Sequence, residues 1–521
     1  MTANTSPNVL LIMTDQHRPD HTGFGGNPTV KTPNLDALAN RSMRFDRAHV
    51  ANPICMPNRA SIFTGRMPSL HGTRYNGIAL DWRVETFPRV FKRAGYHTAH
   101  LGKCHLQNMN IMASVARKQT DQLQPGDAID LSHYPAGWDR YEDLKRHREE
   151  NVQMPDDFYG FGETDLVVAH SDQRGGHYYQ WLLQQGIDPS TIQGDSVSKA
   201  YESPSHMVWK TSTPEELYPT SYITNVTTNF LQARAKEPET PFMAVVSYPD
   251  PHHPFTPPGK YFDMYSPDDY VMPGTYGDKH NDSAPHYQRA IRQGASGLRR
   301  GVNMFAPTET ELREMAAKEY GMISMIDDSI GKILSELDAL DLRKNTIVVF
   351  TSDHGDMFGD HGVMLKGAMH YEGCTRVPLL IDVPAMAAGV SQSLISSLDL
   401  GPTLLAQAGL KAFHGMQGYD ASKLLTNPAE TIRDEILIEE DQLNDILRVG
   451  TPLRMRTLIT EETRLTVYQG YAGTELFDLN NDPEEMDNLT GSPALQAEMN
   501  ERLLNALIAN DDVSPKPTAF A

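Results

Sequence analysis

Cysteine is scarce. The 521 residues hold three, Cys55, Cys104 and Cys374, and no CxxC pair is among them. A disulfide framework or a structural zinc site needs clustered thiols, so both are excluded. Long apolar runs are missing as well. The chain opens without a basic region, and its first apolar run, Val9 to Met13, is five residues long. That is too short for a secretory h-region or a bilayer span, and it reads as a strand. A cytoplasmic protein with no membrane partner is the expectation. Basic residues are outnumbered, 46 against 67 acidic, for a net charge of -21. Such a surface repels polyanions, which excludes nucleic acid as a partner. A small anionic substrate would need a local cationic pocket.

Short apolar runs alternate with helical patterns along most of the chain. Strands are predicted at Val9–Met13, Thr98–Leu101, Phe242–Ser247, Thr346–Phe350 and Val377–Val383. Helices are predicted from Pro33 to about Asn40, Phe87–Ala94, Tyr222–Ala235, and one or two within Thr308–Leu340. The order argues for an α/β fold with a large, mostly parallel sheet flanked by helices. Two polar, weakly periodic stretches, about 107–215 and 259–307, read as insertions that shape substrate access or merely decorate the surface. Beyond about residue 425 the pattern changes. Strands at Leu453–Leu458, Thr463–Tyr468 and Glu475–Phe477 precede a closing helix, Ala494–Ile508. The expected organisation is a catalytic domain over 1–425 and a small α+β subdomain with an antiparallel sheet over 426–521.

Four predicted strands run into residues of catalytic type: Asp15-Gln16, Lys103-Cys104-His105, Asp250-Pro-His252-His253 and Asp353-His354. In an open α/β sheet the carboxyl ends of parallel strands share one edge, where ligands bind. Asp15, Asp353 and His354 offer two carboxylates and an imidazole, a donor set that suits Mn²⁺ better than Ca²⁺ or Mg²⁺. Each taken singly is equally a turn residue.

The segment Ile54-Cys55-Met-Pro57-Asn-Arg59-Ala-Ser-Ile-Phe-Thr-Gly65 predicts a helix, with Pro57 at its first position and Gly65 at its stop. Residue 55 would lie beside the helix N-terminus, which favours anions and would acidify a thiol. Arg59, four residues on, would share its face and reach the same anion. A cysteine-phosphatase loop fails on spacing: it needs five residues between Cys and Arg, and this segment has three with a proline among them.

Cys55-x-Pro57-x-Arg59 resembles instead the signature of the formylglycine-dependent sulfatase family, within the alkaline phosphatase superfamily. Further blocks match in order: Pro7–Gln16, Thr32–Asp36, Gly95–Ala99, Leu101–His105, Pro251–Phe255, Thr351–Asp356, Asp399–Thr403 and Glu475–Pro483. The resemblance implies an alkaline-phosphatase-like fold and a Cys55 oxidised to formylglycine (3-oxoalanine) by a separate formylglycine-generating enzyme. It implies one divalent metal ion, held by Asp15, Asp353, His354 and converted residue 55. The hydrated aldehyde would attack sulfur through one metal-bound hydroxyl. Arg59 would hold the diol, and Lys103 and Lys366 would neutralise the non-bridging oxygens. His252 would protonate the leaving oxygen. His105 would be the base that expels sulfate and regenerates the aldehyde. Asn76 is a candidate substrate contact or a turn residue before Gly77. A homo-oligomer, dimer or tetramer, is the family-level expectation.

Two positions depart from the commonest family pattern. Gln16 replaces a second Asp, and His354 stands where many members carry Asn. Both resemble the phosphonate monoester hydrolase and choline-sulfatase branch, which puts Ca²⁺ in doubt and favours Mn²⁺. Gly102-Lys103-x-His105 is more sulfatase-like. Arylsulfatase-type hydrolysis of sulfate monoesters is therefore the expected activity, with side activity on phosphate diesters and phosphonate monoesters. The alternatives are a phosphonate monoester hydrolase or phosphodiesterase, and an anion-binding protein whose Cys55 stays a thiol.

Overall fold

The computed structural model describes residues 6–109, 133–295, 304–489 and 491–516. β1 (Asn8–Thr14) lies between β8 (Thr346–Ser352) and β7 (Phe242–Ser247). β7 pairs with β4 (His97–Gly102), and β4 with β5 (Glu163–Val168). All four pairings are parallel. The register sets Val9 beside Met243 and Ile347, so these strands end together.

Beyond β8 the sheet continues through β9 (Leu379–Asp382), β2 (Met43–Phe45) and β10 (Gly389–Ser391). At the other edge β5 pairs antiparallel with β6 (Gly175–Gly176), completing nine strands. A two-stranded parallel patch joins β3 (Ala48–His49) to β11 (Ile395–Ser396). β9 runs antiparallel to both its neighbours.

Both faces of the central strands are covered. Val9, Leu11 and Met13 of β1 point into one apolar core with Phe63, Phe87 and Leu404. Leu10 and Ile12 point into the other, with Leu35, Ile223 and Ile326. This is why the strands read as unbroken apolar runs rather than alternating ones. The second face carries the helix Pro219–Ala235 and a single 31-residue helix, Glu309–Ala339. That long helix starts at a capping box: Thr308 Oγ1 accepts from Glu311 N, and the Glu311 carboxylate accepts from Thr308 N.

The C-terminal region forms a four-stranded antiparallel sheet, β12 (Glu435–Asp441), β13 (Arg454–Thr460), β14 (Thr463–Tyr468) and β15 (Tyr471–Asp478), closed by the helix Pro493–Ala509. β12 has no counterpart in the sequence expectation. Its run Glu439-Glu440-Asp441 hides a strand because the Glu439 and Glu440 carboxylates are bonded inward, as described below. The expectation of a pure insertion over 107–215 is also corrected. That stretch supplies β5 to the main sheet and the helix His177–Gln184. Its polar faces concealed the pattern. Part of each expected insertion, 110–132 and 296–303, lies outside the described residues. Among the described residues no helix is long and apolar enough to cross a membrane.

Candidate active site

Five parallel strands, in the order β8, β1, β7, β4, β5, end along one edge of the sheet. Beside that edge the helix Cys55–Thr64 begins, entered from an extended Ile54 and stopped by Gly65 at φ 62°. Cys55 is its first residue and Pro57 its third, so the expected start is two residues late. The helix is buried along its whole length. Asn58 locks it in place: its Nδ2 donates to the Asp353 carbonyl (2.5 Å), and its Oδ1 accepts from Ala51 N and Ser397 Oγ.

Asp15, Cys55, Asp353 and His354 each present one donor atom, all within 4.8 Å of one another. Cys55 Sγ lies 3.1 Å from His354 Nε2 and 3.7 Å from Asp15 Oδ1. His354 Nε2 is 3.6 Å from both Asp15 Oδ1 and Asp353 Oδ1. The His354 tautomer follows from its other nitrogen. Nδ1 faces the Gly355 carbonyl at 2.8 Å and must carry the proton, which leaves the Nε2 lone pair turned to the cluster. Each carboxylate divides its work. The Oδ2 atoms take Arg59 and Lys103, and the Oδ1 atoms face the cluster. Two carboxylate oxygens and a lone-pair imidazole converging at this distance fit a divalent cation. Gly355 allows the turn to close, since a Cβ there would meet the Gly373 carbonyl at 2.0 Å.

Arg59 does not reach out to residue 55 as expected. Its Nε donates to Asp353 Oδ2 (2.6 Å), and its Nη1 to the Lys103 carbonyl (2.6 Å) and Ser247 Oγ (2.9 Å). Its Nη2 makes a 3.4 Å contact with Asp15 Oδ2. The guanidinium fork is fully buried, and the charged carboxylates are its strongest available acceptors. The expected acidic thiol is corrected too. Burial, reinforced by Asp15, pushes Cys55 up to about 11 and outweighs the nearby Lys366 and Lys103. Burial alone would also raise Asp15, but Lys103, Arg59 and His354 hold it well below the usual carboxylate range.

Lys103 Nζ bonds Asp15 Oδ2 and lies 2.6 Å from His170 Nε2. Lys366 Nζ bonds Gln16 Oε1. The Gln16 amide is otherwise given to Asp356 Oδ2 (2.6 Å) and His253 Nδ1 (3.2 Å). His105 sits at φ 58°, its backbone N held by Glu142 Oε2 (2.5 Å), and its buried Nδ1 has no partner among the described residues. Burial, then Lys103 and Arg59, keep its ring neutral. His252 donates through Nδ1 to the His253 carbonyl, and burial with Lys366 and His253 keeps it neutral as well. Asn76 accepts the Met56 N–H through Oδ1 at 3.1 Å, beside the helix start. Gln16 and His105 both occupy left-handed backbone without being glycine, a strain of about 1–3 kcal/mol each that recurs at functional turns.

Four residues with clear places in the site carried no sequence expectation: Asn58, Glu142, His170 and Asp356. Asn58 and Asp356 lie inside the quoted motifs and were legible as polar residues at helical or turn positions. Glu142 and His170 lie in the polar stretch, where no periodicity marked them.

The Sulfatase family model matches residues 7–410, and the model for the N-sulphoglucosamine sulphohydrolase C-terminal region matches residues 359–511. An arylsulfatase of Clostridium perfringens is 30% identical over 494 residues, spanning 93% of this chain and 90% of the relative. A multifunctional alkaline phosphatase superfamily protein, PehA of Trinickia caryophylli, is 27% identical over 536 residues, spanning 96% and 95%. The crystal structure of a phosphonate monoester hydrolase of Agrobacterium radiobacter superposes with a TM-score of 0.75 at 24% identity, covering 97% of this chain and 96% of that one. With one family model spanning the strand ends, the Cys55 helix and the Asp353–His354 turn, the chain belongs to the sulfatase family of the alkaline phosphatase superfamily.

Proposed function

We propose that this protein hydrolyses sulfate monoesters of the arylsulfatase type, using formylglycine made from Cys55 by a formylglycine-generating enzyme. One observation carries the reading: residue 55 completes a buried four-residue donor cluster with Asp15, Asp353 and His354, flanked by Arg59, Lys103 and Lys366. The hydrated aldehyde would supply an attacking hydroxyl and a second hydroxyl through which the sulfate ester later collapses.

Asp15, Asp353 and His354 would hold one divalent cation, and its charge would favour the ionised form of the attacking group and offset that of the sulfate. The imidazole donor and the replacement of a second Asp by Gln16 favour Mn²⁺ over Ca²⁺. Arg59 pairs with both carboxylates and orients them. Lys103 and Lys366 face the same pocket and neutralise sulfate oxygens. His105 is neutral, the form a general base needs. His252 must gain a proton before acting as acid, and the arriving monoanionic sulfate ester offsets part of the cost that burial and Lys366 impose.

The structural likeness to a phosphonate monoester hydrolase and the Gln16–His354 pair favour a second activity on phosphate diesters and phosphonate monoesters. The test combines mass spectrometry of the residue-55 peptide with kcat/KM values on an aryl sulfate and matched phospho-substrates. The expected result is an aldehyde at position 55 and the highest value on sulfate. A phospho-substrate preferred at optimal metal would make that the main activity. An unconverted thiol in fully active enzyme would defeat the proposal.

A further inference from the structure

His170 follows β5 at the same sheet edge as Lys103 and His105. Its Nε2 lies 2.6 Å from Lys103 Nζ. An ammonium has only protons to offer, so this imidazole nitrogen is the acceptor and the ring is neutral with its proton on Nδ1. The ring also stacks on His252, centroids 3.8 Å apart and planes inclined by 14°. His252 in turn stacks on His253 at 4.0 Å. One side chain thus touches both the ammonium beside Asp15 and the imidazole proposed as the acid.

The backbone goes to some length to present it. Ala169 (φ 78°) and Ser171 (φ 59°), on either side of His170, both occupy left-handed backbone that non-glycine residues avoid. A buried Arg174 holds this turn. Its Nε donates to the Ser171 carbonyl and its Nη1 to the Ala169 carbonyl (2.5 Å). Its Nη2 donates to Asp250 Oδ1 (2.5 Å), two residues before His252. Ser171 Oγ is tied to Thr256 Oγ1 at 2.7 Å. One guanidinium therefore fixes the His170 turn and the His252 turn relative to each other.

We infer that His170 is a positioning residue for the sulfate-ester reaction: it holds Lys103 between two acceptors, so that the ammonium stays aimed at a substrate oxygen instead of collapsing fully onto Asp15. The inference rests on the proposed role of Lys103. Without His170, Lys103 keeps Asp15 as its one short partner among the described residues and is drawn wholly toward it. Misplacing a charge by about an ångström is enough to cost about 10²-fold in rate.

The test separates the acceptor from the ring in the metal-loaded, matured enzyme. His170→Phe keeps the stack and removes the acceptor. His170→Gln keeps an acceptor and removes the stack. His170→Phe is expected to lower kcat on an aryl sulfate by about 10²-fold, and His170→Gln to recover most of it. His170→Phe should add little in a Lys103→Ala background, since both remove one interaction. Equal losses in both variants, additive with Lys103→Ala, would assign His170 to packing and overturn the inference. So would wild-type kcat in His170→Phe while Lys103→Ala is impaired. Full turnover in Lys103→Ala would overturn the proposed role of Lys103 itself.

Discussion

Glu440 of the C-terminal sheet accepts the backbone N–H of Ala368, two residues after Lys366. Its second oxygen lies 3.1 Å from His370 Nε2, and its first also takes the Gln442 amide. Both Glu440 and His370 are fully buried. Neighbouring Glu439 accepts from Ser69 N at 2.9 Å, so β12 also fastens the short helix Pro68–His71 that follows the Cys55 helix. The C-terminal sheet is thereby part of the machinery that places a cation.

Glu440→Ala should release the Lys366 loop and leave the buried Ala368 N–H and His370 Nε2 without this partner. A stability loss of about 1.5–3 kcal/mol is expected by urea titration, together with a fall in kcat. Glu440→Gln, which keeps an acceptor, should lie between the two.

Arg59→Lys should behave as a severe change rather than a conservative one. An ammonium cannot serve Asp353, Asp15, the Lys103 carbonyl and Ser247 at once. Leaving two buried carboxylates poorly compensated should cost about 3–5 kcal/mol, read by chemical denaturation, with activity lost.

Cys55→Ala should abolish turnover while circular dichroism and the unfolding midpoint stay near wild type. The side chain is small, and its two contacts, at 3.1 and 3.7 Å, go to the donor cluster rather than to the surrounding core. Retained turnover would show that another group attacks sulfur.

Chelation should stop turnover, and added Mn²⁺ should restore it better than Ca²⁺. In Asp353→Asn the restoring concentration should rise, because Asp353 Oδ1 faces the donor cluster. The check is a metal titration followed by activity and by calorimetry.

Acid should destabilise the fold before carboxylates titrate. Burial holds His49, His71 and His100 down to about 3, and His17, His147 and His286 down to about 4, against 6.5 for a free ring. These folded-state values lie below the unfolded one, so between them the unfolded chain binds more protons. Stability is full above pH 6.5 and falls as pH drops toward 3–4, by at most about 1.4 kcal/mol per group per pH unit. Urea midpoints at pH 7.5 and 5 should show the decline.

Much of this protein is decided by local sequence. Central strands buried on both faces read as unbroken apolar runs, and Gly65 closes the Cys55 helix where a left-handed residue is required. Asp15 and Asp353–His354 follow their strands directly, and parallel pairing carries them to one edge whatever else the chain does. Tertiary structure alone decided the rest. That β9 runs antiparallel, that β5 joins the sheet from a polar stretch, and that Glu440 reaches the Lys366 loop all depend on pairing between distant segments. Charge balance is likewise collective. Whether Arg59 serves residue 55 or the carboxylates, and whether a thiol at a helix start is acidic, turns on burial and on neighbours dozens to hundreds of residues away, which no local pattern encodes.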